Sequence, residues 1–94
     1  MKVVWLPRAL HDVRGIEQYI EQDNPAAARR VEQRIKGVVR LLADHPHMGR
    51  PGRVDGTREF VVSGTPYIVA YTVHDDRIVI LAVIHSARKW PDAL

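Results

Sequence analysis

Residues 77–85 read Arg77-Ile78-Val79-Ile80-Leu81-Ala82-Val83-Ile84-His85 and contain the longest unbroken apolar run of the chain, from Ile78 to Ile84. This run is far shorter than the roughly 20 residues that a helix needs to cross a bilayer. Its β-branched content is typical of a buried strand. Because a strand that is apolar at every position is covered on both faces, we expect it to lie centrally in a sheet, with helices on one side and another layer or a partner on the other.

Two more strand patterns precede this run, over Thr57–Val62 and Tyr67–Val73. The connections 63–66 and 74–76 are too short to contain a crossover helix, so the three strands are predicted to form an antiparallel meander. The stretch from His47 to Gly56 is rich in glycine and proline and is predicted to be a loop.

The first half of the chain has the pattern of a helical hairpin. The stripe of Leu10, Val13, Ile16 and Ile20 predicts an amphipathic helix over residues 7–22. Asn24 and Pro25 then provide an N-cap and a first helical residue.

The second helix is predicted to end at Asp44-His45-Pro46 and to bury Val31, Ile35, Val38 and Leu42. Residues 2–6 form a short first strand. The order β-α-α-β-β-β predicts a single α+β domain over residues 1–94, with the helical hairpin packed on a small antiparallel sheet.

Positive charge is concentrated in the middle of this sequence. Eight of the 14 Lys and Arg residues lie between residues 29 and 58, together with three of the 11 acidic residues. The net charge of this segment is therefore +5, whereas the net charge of the whole chain is +3. Eleven of the basic residues are arginine, which forms bidentate contacts with carboxylates and phosphates. Arg29, Lys36 and Arg40 share one face of the second helix, and Arg34 lies on another. This pattern is consistent with a solvated helix face or with a surface that binds a partner.

Strand alternation places a set of polar side chains near one end of the sheet. General acid–base cleavage of RNA needs a base, an acid and cations for the phosphate charge. Arg58, Tyr71, His85 and Arg88 could provide these groups, with Tyr67 beside them. The same residues could instead pack or bind a protein. Trp90 is consistent either with a tail that packs on the sheet or with a binding anchor.

Sites of other kinds are not predicted. There is no cysteine, which excludes disulfides, thiol catalysis and Cys-ligated zinc. His45-Pro46-His47 resembles a turn more than a metal site, and no glycine-rich phosphate loop is present, so we predict no metal and no cofactor. Without cysteine, a membrane span or a leader-like start, the chain is expected to act in the cytoplasm.

Several short motifs follow one another along almost the whole chain. They are Trp5-x-Pro7-x-Ala9-x-x-Asp12, Tyr19-Ile20, Asn24-Pro25-x-Ala27-Ala28, Pro46-x-x-Gly49-Arg50, Thr57-Arg58-Glu59, Pro66-Tyr67-Ile68-Val69-x-Tyr71 and Val83-x-His85-x-x-Arg88-x-Trp90-Pro91. In this order they resemble the RelE/ParE toxin superfamily, and most closely its ParE branch. The resemblance implies the toxin of a bacterial type II toxin-antitoxin system, neutralised by an antitoxin whose acidic, amphipathic C-terminal segment wraps it.

The superfamily contains two activities. ParE-like members inhibit DNA gyrase, whereas RelE-like members cut mRNA on the ribosome with a basic cluster and a tyrosine or histidine. Here His85-Ser86 stands where RNA-cutting members usually have a basic pair, so the resemblance favours a non-enzymatic gyrase inhibitor that contacts operator DNA only through its antitoxin. The residues expected to bind target or antitoxin are Arg29, Arg34, Lys36, Arg40, Arg58, Tyr67, Tyr71, His85, Arg88 and Trp90. In the alternative endoribonuclease, Arg58, Tyr71, His85 and Arg88 would be catalytic.

Overall fold

The structure is a computed structural model and describes residues 1–86. Within them, the elements in chain order are β1 (Lys2–Trp5), α1 (Pro7–Glu21), α2 (Pro25–Asp44), β2 (Arg50–Pro51), β3 (Arg58–Val61), β4 (Tyr67–Val73) and β5 (Arg77–His85). The six predicted elements are confirmed in their predicted order, with boundaries that agree to about one residue, and one further strand, β2, is added. The two-residue strand β2 lies in the segment predicted to be a loop.

The strands form one five-stranded sheet in the order β1-β5-β4-β3-β2. The predicted meander is confirmed, because β4 pairs antiparallel with both β3 and β5. The sheet as a whole is mixed, since β1 pairs parallel with β5. The pattern of β1 could not show this direction, because an apolar strand looks the same in either orientation; the path of the helical hairpin between β1 and the meander sets it.

The helical hairpin is stabilised at its corner as the sequence predicts. The Asn24 side chain accepts a hydrogen bond from the Ala27 N–H at 3.1 Å and so caps α2. Pro7 and Pro25 each begin a helix, where a missing N–H costs nothing. Neither helix of residues 1–86 is long and apolar enough to span a bilayer.

Both helices pack on one face of the sheet. From the predicted stripe of α2, Ile35 and Leu42 are fully buried, whereas Val31 and Val38 are only partly covered and Val39 is buried in their place. The main core combines these residues with side chains from both helices and the sheet: Ala9, Val13, Val62, Tyr67, Val69, Tyr71, Ile78, Ile80 and Val83. The opposite face of the sheet has a smaller buried cluster of Ala70, Ala82 and Ile84. As predicted, β5 is therefore apolar on both faces and has a strand on each side.

A β-bulge interrupts the pairing of β4 with β5. Tyr71 is opposite Ile80 and Ala70 is opposite Ala82, so Leu81 is the extra residue. One extra residue reverses the alternation of all later side chains. Ile78 and Ile80 face the helices before the bulge and Val83 does so after it, which places His85 on the helix side as well. Simple alternation from Ile78 would have turned His85 to the other face.

We expect the burial of β5 under the helices to dominate stability. Replacing Ile80 with Ala should lower the free energy of unfolding by about 2–5 kcal/mol, because it leaves a cavity in the core. Val61→Ala is the matched control: Val61 is 46% exposed on the same sheet, and its truncation should cost less than about 1 kcal/mol. Urea unfolding of both variants would measure the difference, and equal losses would contradict this account of the core.

Candidate functional site

The residues predicted from the sequence to form one pocket lie in two separate places on the sheet. Tyr71 is directly opposite Arg58 on β3, whereas Tyr67 is directly opposite His85 on β5. Tyr67 and Tyr71 are four residues apart on the same strand, which corresponds to about 13 Å. The structure therefore brings the residues together as two pairs and does not assemble them into one cluster.

The Arg58–Tyr71 pair holds the segment between α2 and β2 against the sheet. The Tyr71 hydroxyl donates a hydrogen bond to the Pro46 carbonyl at 2.8 Å and accepts one from the Gly49 N–H at 2.9 Å. The Arg58 guanidinium donates to the Gly49 carbonyl at 2.7 Å and contacts the His47 carbonyl at 3.4 Å. A Cβ at position 49 would overlap the Tyr71 hydroxyl, which explains why a glycine stands there.

Tyr71 is completely buried, and this position changes its chemistry. Burial raises the pKa of the phenol above its usual value of 10.0, although the hydrogen bond from Gly49 and the positive charge of Arg58 act in the opposite direction. Tyr71 is therefore a neutral hydroxyl that orders a loop from inside the fold. Tyr71 was predicted to lie on a contact surface, but its side chain is buried.

A buried carboxylate fixes the rest of the loop. Glu59 is 2% exposed and lies between Arg50, whose Nη2 is 3.4 Å from Oε1, and Arg53, whose backbone N–H donates to Oε2 at 2.9 Å. The Arg53 Nε lies 3.9 Å from the same oxygen. Both arginines of the loop therefore contact Glu59. A buried carboxylate needs such partners, because burying an unpaired charge is costly. Glu59 was part of a sequence motif but was not predicted to hold the loop.

The Tyr67–His85 pair lies beside α1. The two rings meet edge to face with centroids 5.6 Å apart. They line a cavity of about 720 Å³ together with Pro66, Val83 and four residues of α1, His11, Asp12, Gly15 and Ile16, and with Tyr19 at its rim. Tyr19 is 73% exposed. Sequence reasoning missed the contribution of α1 here, although an exposed tyrosine on an amphipathic helix was a signal for it.

The basic residues of α2 have different environments. Arg34 donates to the Ser63 carbonyl at 2.9 Å, in the turn where Gly64 has a φ of 77°. Lys36 pairs with Glu32 at 3.2 Å on the same helix. Arg29 and Arg40 are exposed, and neither has an ion pair within residues 1–86. Arg34 thus stabilises the fold, while Arg29 and Arg40 remain available to a partner.

A groove lies where the two helices meet the first strand. This β1 groove has a volume of about 380 Å³ and is lined by Val3, Trp5, Leu10, Val13, Arg14, Glu17, Glu32, Lys36 and Arg40. Leu10 is 49% exposed, and Arg14 has no ion pair in the described part of the chain. Of these residues, only Lys36 and Arg40 were predicted as contacts. Trp5 is half-buried at the groove.

Two predicted contact residues, Arg88 and Trp90, lie outside the described residues. Among residues 1–86, no group of three or more His, Asp or Glu side chains is placed to hold a metal ion. The described residues form a groove lined by four apolar, three basic and two acidic side chains, and two separated tyrosine pairs.

Comparison with known proteins gives a consistent result. The model of the ParE toxin family of the type II toxin-antitoxin system parDE matches residues 3–90. Y4kP of Sinorhizobium fredii is 44% identical over 93 residues, 99% of this chain and 96% of that protein. Toxin RelE2 of Caulobacter vibrioides is 40% identical over 87 residues, 93% of this chain and 97% of that protein. A solved structure of the chromosomal ParDE toxin-antitoxin system from P. aeruginosa matches with a TM-score of 0.82 at 25% identity, covering 90% of this chain and 95% of that one.

The role of Tyr71 can be tested by removing only its hydroxyl. Tyr71→Phe leaves a buried N–H and a carbonyl without their partner and should lower the free energy of unfolding by about 1–3 kcal/mol. A raised pKa means that the folded protein retains the phenol proton longer than the unfolded chain. Stability should therefore fall as pH rises above about 10.

Tyr71→Phe should lose this part of the alkaline destabilisation, and Tyr19→Phe, at an exposed position, should retain it. Chemical unfolding at several pH values measures both effects. An unchanged pH dependence in Tyr71→Phe would contradict the assignment.

Proposed function

The chain belongs to the ParE toxin family of type II toxin-antitoxin systems, and from this premise we propose that it is a protein-binding toxin that inhibits DNA gyrase. Membership of this family implies an antitoxin as partner. In the proposal, the toxin acts in the cytoplasm, carries out no covalent chemistry, and reaches operator DNA only through the antitoxin.

The separation of the candidate catalytic groups is the observation that carries this proposal. Acid–base cleavage of a phosphodiester requires the acid, the base and the cations to converge on one phosphate. In this protein Arg58 and His85 lie on β3 and β5, opposite tyrosines that are about 13 Å apart along β4. The hydroxyl of Tyr71 is buried and already bonded to two backbone groups. These features favour binding over catalysis.

The β1 groove supports the proposed antitoxin contact. It combines exposed apolar surface at Leu10 with the cations Arg14 and Arg40, which have no carboxylate partner among residues 1–86. Glu32, one of its two acidic residues, is already paired with Lys36. An amphipathic segment with acidic residues would bury the apolar surface and pair with these arginines.

A ribosome-dependent endoribonuclease is the second candidate. It is favoured by the 40% identity to a toxin named RelE2 and by the contact of His85 with Tyr67. In this alternative His85 would be the acid or base, and Arg88, outside the described residues, would stabilise the phosphate charge.

The two candidates predict different results for the purified protein. Under the proposal, the chain inhibits DNA supercoiling by gyrase, and an equimolar amount of antitoxin reverses the inhibition. His85→Ala should reduce this inhibition by less than about tenfold, since one half-buried contact contributes modestly to an interface. Loss of a general acid or base would instead reduce RNA cleavage by about 10²–10⁴-fold.

Mapping of mRNA 5′ ends after induction of the toxin tests the endoribonuclease alternative. Cuts at fixed codon positions, abolished by His85→Ala, with unimpaired gyrase activity would overturn the proposal in favour of the endoribonuclease. Failure to affect either gyrase or mRNA would contradict both.

Charge reversal tests the antitoxin contact. Arg40→Glu places a negative charge in the β1 groove and should weaken antitoxin binding by at least about tenfold, which corresponds to about 1.4 kcal/mol. The matched control is Arg30→Glu, an exposed position of the same helix that does not line the groove. Calorimetric titration at several salt concentrations gives both affinities. Equal losses in the two variants would show that net charge, and not the groove, attracts the antitoxin.

A further inference from the structure

Another open groove lies at the end of α2, where the helix meets the loop that Tyr71 and Arg58 hold. This α2-end groove has a volume of about 690 Å³. Its lining residues are Leu41, Asp44, His45, Pro46, His47 and Met48. Leu41 is 41% exposed and Met48 is 42% exposed. Because this groove has no lining residue in common with the β1 groove, it is a separate surface with its own apolar side chains.

The backbone beside the α2-end groove is held by hydrogen bonds. The Met48 N–H donates to the His45 carbonyl at 3.1 Å. From inside the fold, the Tyr71 hydroxyl bonds to the backbone of Pro46 and Gly49. The side chains of His45 and Met48 are nevertheless exposed. Because an ordered backbone loses little conformational entropy when a partner binds, this surface is preorganised for a contact.

The end of α2 gives the groove a negative character. The carbonyl groups of Leu42, Ala43 and Asp44 accept no hydrogen bond from other groups of residues 1–86, and Pro46 has no N–H that could donate to Leu42. A helix C-terminus carries a partial negative charge, and the exposed Asp44 adds a carboxylate to it. The last turn of α2 has no basic residue. Within the described part of the chain, no Lys or Arg lines the groove, so its charge favours a cation.

A basic side chain of another protein has the chemistry that this groove fits. The aliphatic stem of an arginine or lysine can pack on Leu41 and Met48, while its charged end reaches the Asp44 carboxylate. The acidic antitoxin segment of the proposed function has the wrong charge for this site. Gyrase, the proposed target, acts on DNA, and proteins that bind DNA expose arginine and lysine to the phosphates. The target is therefore the partner whose charge complements the groove.

We propose that the toxin binds gyrase through the α2-end groove, with a basic side chain of gyrase seated between Leu41, Asp44 and Met48. Leu41 directly follows Arg40, which lines the β1 groove. The two grooves therefore adjoin along α2, and an antitoxin bound in one excludes a protein as large as gyrase from the other. The inference rests on the proposed function for the identity of the target, and adds the surface that contacts it.

Charge reversal at Asp44 tests the polar part of the contact. Asp44→Lys places a cation in the groove, and the fold should tolerate it because a cation suits a helix C-terminus. We expect this variant to bind immobilised gyrase at least about tenfold more weakly. Its affinity for the antitoxin, the protein encoded beside the gene and co-purified with the toxin, should be unchanged, which also shows that the variant is folded.

Asp23→Lys is the matched control for this charge change. Asp23 is exposed and lies at the opposite end of the 20-residue helix α2, which is about 30 Å long. Asp23→Lys should bind gyrase as tightly as the unaltered toxin does. Surface plasmon resonance at several salt concentrations measures both affinities.

Truncation of Met48 tests the apolar part of the contact. Met48→Ala removes the side chain that covers the stem of the bound residue and should weaken gyrase binding by about tenfold, as expected for a side chain at the centre of an interface. Val54→Ala is the matched control, because Val54 is 41% exposed and does not line the groove. It should leave gyrase binding unchanged.

The outcomes separate this inference from the proposed function. If the unaltered toxin neither binds nor inhibits gyrase, the proposed function fails and the inference fails with it. If it binds gyrase and both Asp44→Lys and Met48→Ala bind equally well, the inference is wrong and the proposed function stands.

Two further results would also overturn the inference. An equal loss in Asp23→Lys would assign the effect of Asp44→Lys to net charge. A toxin dimer that Met48→Ala dissociates, with gyrase binding unimpaired, would assign the groove to a second copy of the chain.

Discussion

The pairing of β5 with strands on both of its sides is the constraint on which the rest of the structure depends. β5 joins β1, which begins the chain, to the meander that ends the described part. Its residues Ile78 and Ile80 are fully buried under the helical hairpin. The backbone groups on both edges of β5 need hydrogen-bond partners, and its apolar side chains need to be buried. Because both requirements must be met together, β5 fixes the direction of β1 and the face on which the helices pack.

One extra residue in that strand determines which side chains meet. The bulge at Leu81 reverses the alternation, so that His85 faces the helix side and contacts Tyr67. The separate pairing of β3 with β4 places Arg58 opposite Tyr71, at the other end of β4. A set of residues with the composition of a catalytic site is thus divided into a pair that orders a loop and a pair beside α1.

The arginines also form two groups, those that bind other groups within the protein and those that are available to a partner. Arg34, Arg50, Arg53 and Arg58 bind backbone carbonyls or the buried Glu59, and they stabilise turns and loops. Arg14 and Arg40 line the β1 groove. The central positive charge of the sequence is therefore partly structural, and the part that could attract a partner is smaller and more localised than the net charge of residues 29–58 indicates.

The sequence alone determined both helices and every strand except β2, because periods of 3.6 and 2 residues, the Asn24 cap and the short connections are local properties. It also determined the family through the order of its motifs. It could not determine the parallel direction of β1, the bulge at Leu81, or the burial of Tyr71, since each depends on contacts between residues far apart in the chain. The α2-end groove likewise emerged only from the tertiary structure, because the Tyr71 hydroxyl that holds the loop beside α2 belongs to a distant strand.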